Sequence, residues 1–156
     1  LSTQDLIKLY DSLLPSMMVK PPLINTLKEG IKKDPQNIRK ALSALYDESV
    51  GVKDRFNMLR EVKGFGPFLA SQLFSSVNKH KYVVIEANVL EALRRLNLIE
   101  VVPREIYGQD YLHINEICNN LQKGFKNRNK FGLALVHNFL WHYERAYLRT
   151  GDWTKW

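Results

Sequence analysis

Apolar residues recur at three- and four-residue spacings along most of the chain, with polar residues between them. That is the pattern of helices that each bury one face. The spacing predicts a first helix carrying Leu6, Ile7, Tyr10 and Leu14, capped by Ser2 or Thr3 and ended by Pro15. Pro21-Pro22 opens a short second helix, which Gly30 closes. A third starts at Asn37 with Ile38, Leu42 and Leu45 on one face, and a fourth covers Lys53 to Val62. A tight turn, Lys63-Gly64-Phe65-Gly66-Pro67, leads into a fifth from about Pro67 to Val77. Ala87 to Leu96, Tyr111 to about Phe125, and a long aromatic-rich helix from Arg128 to Arg149, ended by Gly151, follow. Lys81 to Ile85 has strand-like propensity but no partner strand, so it reads as an extended connection. The expected class is all-α: one domain over residues 1–156, in two helical lobes with a groove between them.

Charge narrows the partners. The chain has 23 Lys and Arg against 16 Asp and Glu, a net +7, which favours a polyanion. The basic run Lys123, Lys126, Arg128 and Lys130 and the triplet Lys79-His80-Lys81 are candidate phosphate contacts or solvated surface. No apolar run is long enough to span a membrane, and the expected setting is intracellular. The single cysteine, Cys118, excludes an internal disulfide and fits a buried thiol beside Ile114, Ile117 and Leu121. His137 and His142 lack metal-ligand spacing, so no metal and no cofactor is expected. The opening Leu-Ser-Thr-Gln-Asp resembles neither a signal peptide nor a natural start, which suggests processing from a longer polypeptide. The protein is expected to act as a monomer or as part of that longer chain.

The turn at 63–67 is the most informative segment. An apolar helix end, Gly-Phe-Gly and a new helix are what a helix-hairpin-helix requires. Glycines take backbone angles closed to other residues and let a phosphate approach. The unpaired amides at the start of the second helix face that phosphate with the helix dipole behind them. Phe65 plugs the hairpin into the core, Lys63 stands beside the phosphate, and Pro67 occupies the helix's first turn. Such a grip reads DNA backbone and not sequence. A bulky residue at Gly66 is expected to obstruct the phosphate and strain the turn. A plain helix–helix turn is the alternative for the same residues.

Two segments, Val62 to Gln72 and Val84 to Leu96, together resemble the helix-hairpin-helix DNA glycosylase superfamily. The nearest likeness is to the archaeal-type 8-oxoguanine glycosylases, through Lys-Gly-x-Gly, Ala-Ser and the helix that follows the catalytic aspartate. The resemblance covers Leu59 to Ile99 and, more loosely, Phe139 to Trp141. It implies duplex DNA as partner and removal of a flipped base. It also places Phe68 at the family's Schiff-base lysine and Glu86 at its aspartate, eighteen residues apart as in the family. Both are departures. Phe68 has no amine, so lyase chemistry is not expected. Glu86 keeps a carboxylate able to stabilise an oxocarbenium ion or activate water, one methylene further out. The alternative for Glu86 is a helix-start carboxylate favoured by the dipole. Phe68, His137 and Trp141 are candidates for the wall of a base pocket. For the last helix, the stripe Leu133, Val136, Leu140, Tyr143, Tyr147 fits a plain core face as well. A second likeness, to the helical proteins of phage thymine hypermodification, suggests base chemistry other than excision. Three functions follow as expectations: a glycosylase without lyase activity, a non-catalytic reader of modified DNA, and a base-hypermodifying enzyme. A structural helical module remains a further alternative.

Overall fold

The computed structural model describes residues 29–30, 32–126 and 128–150, the side chains of 149 and 150 excepted. The helix expected at Leu6 to Leu14, the opening of the second at Pro21-Pro22 and the stop at Gly151 lie outside the described residues. No strand occurs among the described residues, and the class is all-α.

Helix α1 (Pro35–Tyr46) begins two residues ahead of the expected Asn37. The Asp34 carboxylate accepts the Asn37 N–H at 3.0 Å, and Pro35, with no N–H to orphan, takes the first helical position. Helices α2 (Val52–Arg60) and α3 (Pro67–Val77) flank the glycine turn, and the bounds of α3 match the expectation. An extended segment over 82–86 leads into α4 (Ala87–Arg95). Helix α5 (Gly108–Gln122) starts three residues before the expected Tyr111. Asp110 Oδ2 accepts the Tyr107 N–H at 3.0 Å, and Asn57 Oδ1 accepts the Gly108 N–H at 2.7 Å. A Cβ on Gly108 would lie 2.0 Å from the Lys53 carbonyl oxygen, so the approach of α5 to α2 requires glycine there.

Two expectations need correction. Gly30 does not close its helix: Glu29, Gly30, Lys32 and Lys33 are all helical, and Asp34 N–H reaches Gly30 O at 3.0 Å. Gly30 is needed for space, because a Cβ there would meet the Lys63 carbonyl oxygen at 2.9 Å. The long final helix is in fact two, α6 (Arg128–Phe131) and α7 (Ala134–Thr150). Gly132 breaks it with φ +61°, and Leu133 N–H turns aside to donate to Lys79 O at 2.8 Å.

The described helices fall into two groups that share one core. In the first, α1, α2, α3 and α5 bury Leu45, Phe56, Phe74 and Tyr111, with the Phe56 and Tyr111 rings stacked at 4.2 Å. In the second, α4 packs on α7 and buries Val89, Leu93, Val136 and Leu140. The α7 stripe Leu133, Val136, Leu140 is therefore core, with Tyr143 packed against it. Cys118 is fully buried in the same core, and burial pushes its thiol up to about 12. Arg55 is buried too. Its guanidinium donates to Leu45 O and Tyr82 OH and lies over the Phe74 ring.

Candidate functional site: the glycine turn and the Glu86–His137 pair

After α2 ends, Val62 N–H bonds to Leu59 O and Phe65 N–H to Val62 O at 2.9 Å, which closes a compact turn. Gly64 carries φ +89°, a left-handed conformation that other residues adopt only with strain. Phe65 is 6% exposed and part of the core. Arg60 braces the turn from below: Nη1 donates to Phe65 O, Nε to Ile106 O at 3.0 Å, and Nη2 to Glu105 Oε2 at 2.9 Å. Gly66, with φ −69°, is the N-cap of α3. The strain expected at Gly66 is therefore at Gly64. A Cβ on Gly66 would meet nothing within 4 Å, so this face of the turn is open to an incoming group. The first amides of α3, at Phe68 and Leu69, point towards that end of the helix without intrahelical acceptors. Lys63 is exposed in the same turn.

The segment before Glu86 looks like a strand because it is bonded like one, but to side chains. Asn115 takes the place of a neighbouring strand: its Oδ1 accepts Val83 N–H at 2.9 Å and its Nδ2 donates to Lys81 O at 2.9 Å. Tyr111 OH donates to Val83 O. Ser71 is fully buried in α3. Its Oγ accepts Ile85 N–H at 2.9 Å and donates to Phe68 O at 2.9 Å. Phe68 and Ile85, the residue before Glu86, are thus joined through one hydroxyl. The β-branched run Val83-Val84-Ile85 suits the extended backbone, and Val83 and Ile85 are buried.

Glu86 is the N-cap of α4, yet its side chain makes no capping hydrogen bond. It reaches across to α7, where Oε1 lies 2.8 Å from His137 Nε2. Glu86 is 28% exposed at its side chain and His137 23%. This contact joins two of the sequence-predicted residues across 51 positions. A carboxylate held by an imidazole, partly open to solvent, can accept or pass a proton.

The other predicted residues are spread more widely. Phe68 is half-buried against the core. Trp141 lies one helical turn beyond His137, half-buried, with its ring edge-on to His142 at 5.0 Å and Arg145 5.3 Å from its centroid. Lys79 is exposed, and Lys81 pairs with Glu48 at 3.1 Å. Sequence reasoning missed Arg60, Ser71 and Asn115. Each is a polar residue on an otherwise apolar helical face, and that is the signal by which they are detectable. Among the described residues no His, Cys, Asp or Glu cluster converges to hold a metal, and no helix is long and apolar enough to cross a membrane.

Compared with protein-family models, curated proteins and solved structures, the chain matches none.

Proposed function

We propose that this protein grips duplex DNA at the Gly64–Gly66 turn and cleaves the N-glycosidic bond of a modified base flipped out of the helix. The observation that carries this reading is the placement of Glu86. A helix-start glutamate with only a local role would point to solvent and interact with the dipole of its own helix. This one turns away to His137 and stays partly exposed, beside the helix whose first amides lie open at Gly66.

In the reaction, the bond from C1′ of the sugar to the base nitrogen breaks as positive charge develops on the sugar. Glu86 balances that charge and takes a proton from the attacking water, whose oxygen bonds to C1′. The base leaves with the bonding electrons and takes a proton from solvent. Phe68 supplies no amine, so the product is an abasic site in an unbroken strand. His137 holds the carboxylate in position. The same contact favours a second reading, a non-catalytic reader, since Glu86 Oε1 is already engaged.

The test is a panel of duplexes with one modified base each, scored for binding and for released base. Glu86→Gln should retain affinity and abolish release. Discrimination of one modified base with no release by the parent protein would establish the reader instead. Borohydride trapping of a covalent adduct would contradict the proposed chemistry. Gly66→Phe should weaken binding at least tenfold without unfolding the protein, because the new side chain points into open space. Unchanged affinity would remove the turn from the interface.

A further inference from the structure

Charge along the chain is unevenly spread. No Asp or Glu lies between Glu61 and Glu86, a stretch that holds Lys63, Lys79 and Lys81. None lies between Glu116 and Glu144, a stretch that holds Lys123, Lys126, Arg128 and Lys130. The fold presses the two stretches together. Leu133 N–H donates to Lys79 O at 2.8 Å, and Asn119 Nδ2 donates to Lys81 O at 3.3 Å. Gly132 packs so tightly that a Cβ there would lie 2.5 Å from the Lys79 carbonyl oxygen and 2.9 Å from His80 Nδ1.

Along this seam runs an open groove of about 580 Å³, lined by His80, Asn119, Gln122, Lys123, Arg128 and Asn129. Every lining side chain is basic or carries an amide, and none is a carboxylate. Arg128 Nη1 donates to Lys123 O at 2.9 Å, which ties the two residues together and holds the guanidinium at the rim. A planar guanidinium, an ammonium and several amide donors in one concavity match a phosphate anion.

The geometry points to a second phosphate-binding site in this groove, which takes the phosphodiester backbone of the same DNA duplex that the glycine turn holds. It rests on the DNA-binding reading above. The turn stands at the start of α3, and His80 follows its end, so the two sites are separated by the helix. Eleven residues at 1.5 Å each give about 16 Å, the axial rise of about five base pairs. The Ser71–Ile85 hydrogen bond sets Glu86 beside α3, between these ends. His137 lies one turn into α7, whose start abuts the groove at Lys79 and His80. A strand held at both ends would offer a nucleotide between them to the Glu86–His137 pair.

Nuclear magnetic resonance titration of the full chain with a short blunt duplex tests both contacts separately, with inorganic phosphate as a second probe. The amides of Gly66, Asn119, Gln122, Lys123 and Arg128 should all shift over the same range of duplex concentration, and phosphate alone should move the groove far more weakly. Shifts at Gly66 with a silent groove overturn the groove and leave the turn standing. Shifts in the groove with Gly66 silent support the groove and overturn the turn. Silence at both overturns both. Equal response to phosphate and duplex marks the groove as a site for free anions and sinks the proposal. Lys123→Gln with Arg128→Gln should lower the slope of log affinity against log salt by about two, one per phosphate lost. Lys123→Gln alone should lower it by about one. Its side chain bonds only Asn120 Oδ1 at an exposed position, so the fold is not at risk. An unchanged slope in both variants refutes the site.

Discussion

Two carboxylates tie α4 to α7, and the contacts are equally short but differently built. Glu144 Oε2 meets Arg95 Nε at 2.8 Å with the Glu144 side chain only 3% exposed, and the guanidinium lies 3.8 Å over the Tyr147 ring. Hydrogen bonding to Glu144 holds the Arg95 pKa above its ordinary value. Glu86 meets His137 at the same 2.8 Å but is 28% exposed. An arginine does not release its proton in a protein, whereas an imidazole can serve as acid or base. Distance therefore does not separate a structural pair from a chemical one. Burial and the identity of the partner do. One end of the α4–α7 pair holds an ion pair with a buried carboxylate, and the other a pair whose carboxylate is partly open to solvent.

The largest expected effect tests that division. Glu144→Ala removes a buried charge and strands the Arg95 guanidinium against Tyr147, at a cost of about 3 kcal/mol. Glu86→Gln should cost less than about 1 kcal/mol, since the pair is partly open to solvent and the amide can still hydrogen-bond the imidazole. Urea unfolding of both variants measures the difference, and equal losses would erase the distinction.

Burial also decides which groups make the fold sensitive to pH. Cys118 has its pKa raised from 9.0 to about 12 by burial, and that of Tyr111 is raised well above its ordinary value for the same reason. A folded-state pKa above the unfolded one gives stability that is present below the unfolded value and lost as pH climbs through the folded value. The Cys118 contribution is thus intact at pH 8 and declines from pH 9 towards pH 12. Cys118→Ala should flatten that alkaline decline in unfolding measurements. A Glu86→Gln variant should follow the parent's slope in the same window, since its change lies at the open end and not in the core.

The glycines divide in a similar way. Gly64→Ala must adopt φ +89° with a side chain and should lose about 1–2 kcal/mol. Gly66→Ala has an ordinary φ and open space, and should change stability by less than about 0.5 kcal/mol. Thermal denaturation ranks the two, and a larger loss at Gly66 would move the strain to the wrong residue.

What was legible in the sequence follows from the range of the interactions. The α3 boundaries are local, set by Pro67 and the glycine turn, and the pattern predicts both ends. Gly30 departs from the pattern because a glycine near a helix end suggests a stop, while here it admits the Lys63 carbonyl from a distant segment. The break at Gly132 was invisible for the same reason: Lys79 O, remote in sequence, draws the Leu133 N–H out of the helical ladder. The start of α5 was missed because Gly108 is a poor helix former, tolerated for its contact with Lys53. In the candidate site, Glu86 and His137 each stood out by residue type and setting. Their meeting depends on α4–α7 packing, which the apolar spacing of either helix does not encode.

The most discriminating variant is Glu86→Asp. Position 86 is the N-cap of α4, with extended backbone at φ −142°. Aspartate is a preferred N-cap because its short carboxylate folds back onto the first-turn amides, while glutamate reaches past them. The substitution should therefore stabilise α4 by a few tenths to about 1 kcal/mol. It should also withdraw the carboxylate from His137, since losing a methylene retracts it by roughly an ångström, enough to break a 2.8 Å contact. Had the longer side chain merely drifted from a family aspartate, the shorter one would restore activity. The contact with His137 argues instead that the site is organised around glutamate. Base release should then fall at least tenfold in Glu86→Asp while the melting temperature rises and DNA affinity holds. The imidazole nitrogen-15 resonances of His137 provide an independent reading, because they shift when the Glu86 hydrogen bond is lost. If base release rises while those resonances move, His137 is a bystander and the carboxylate acts alone.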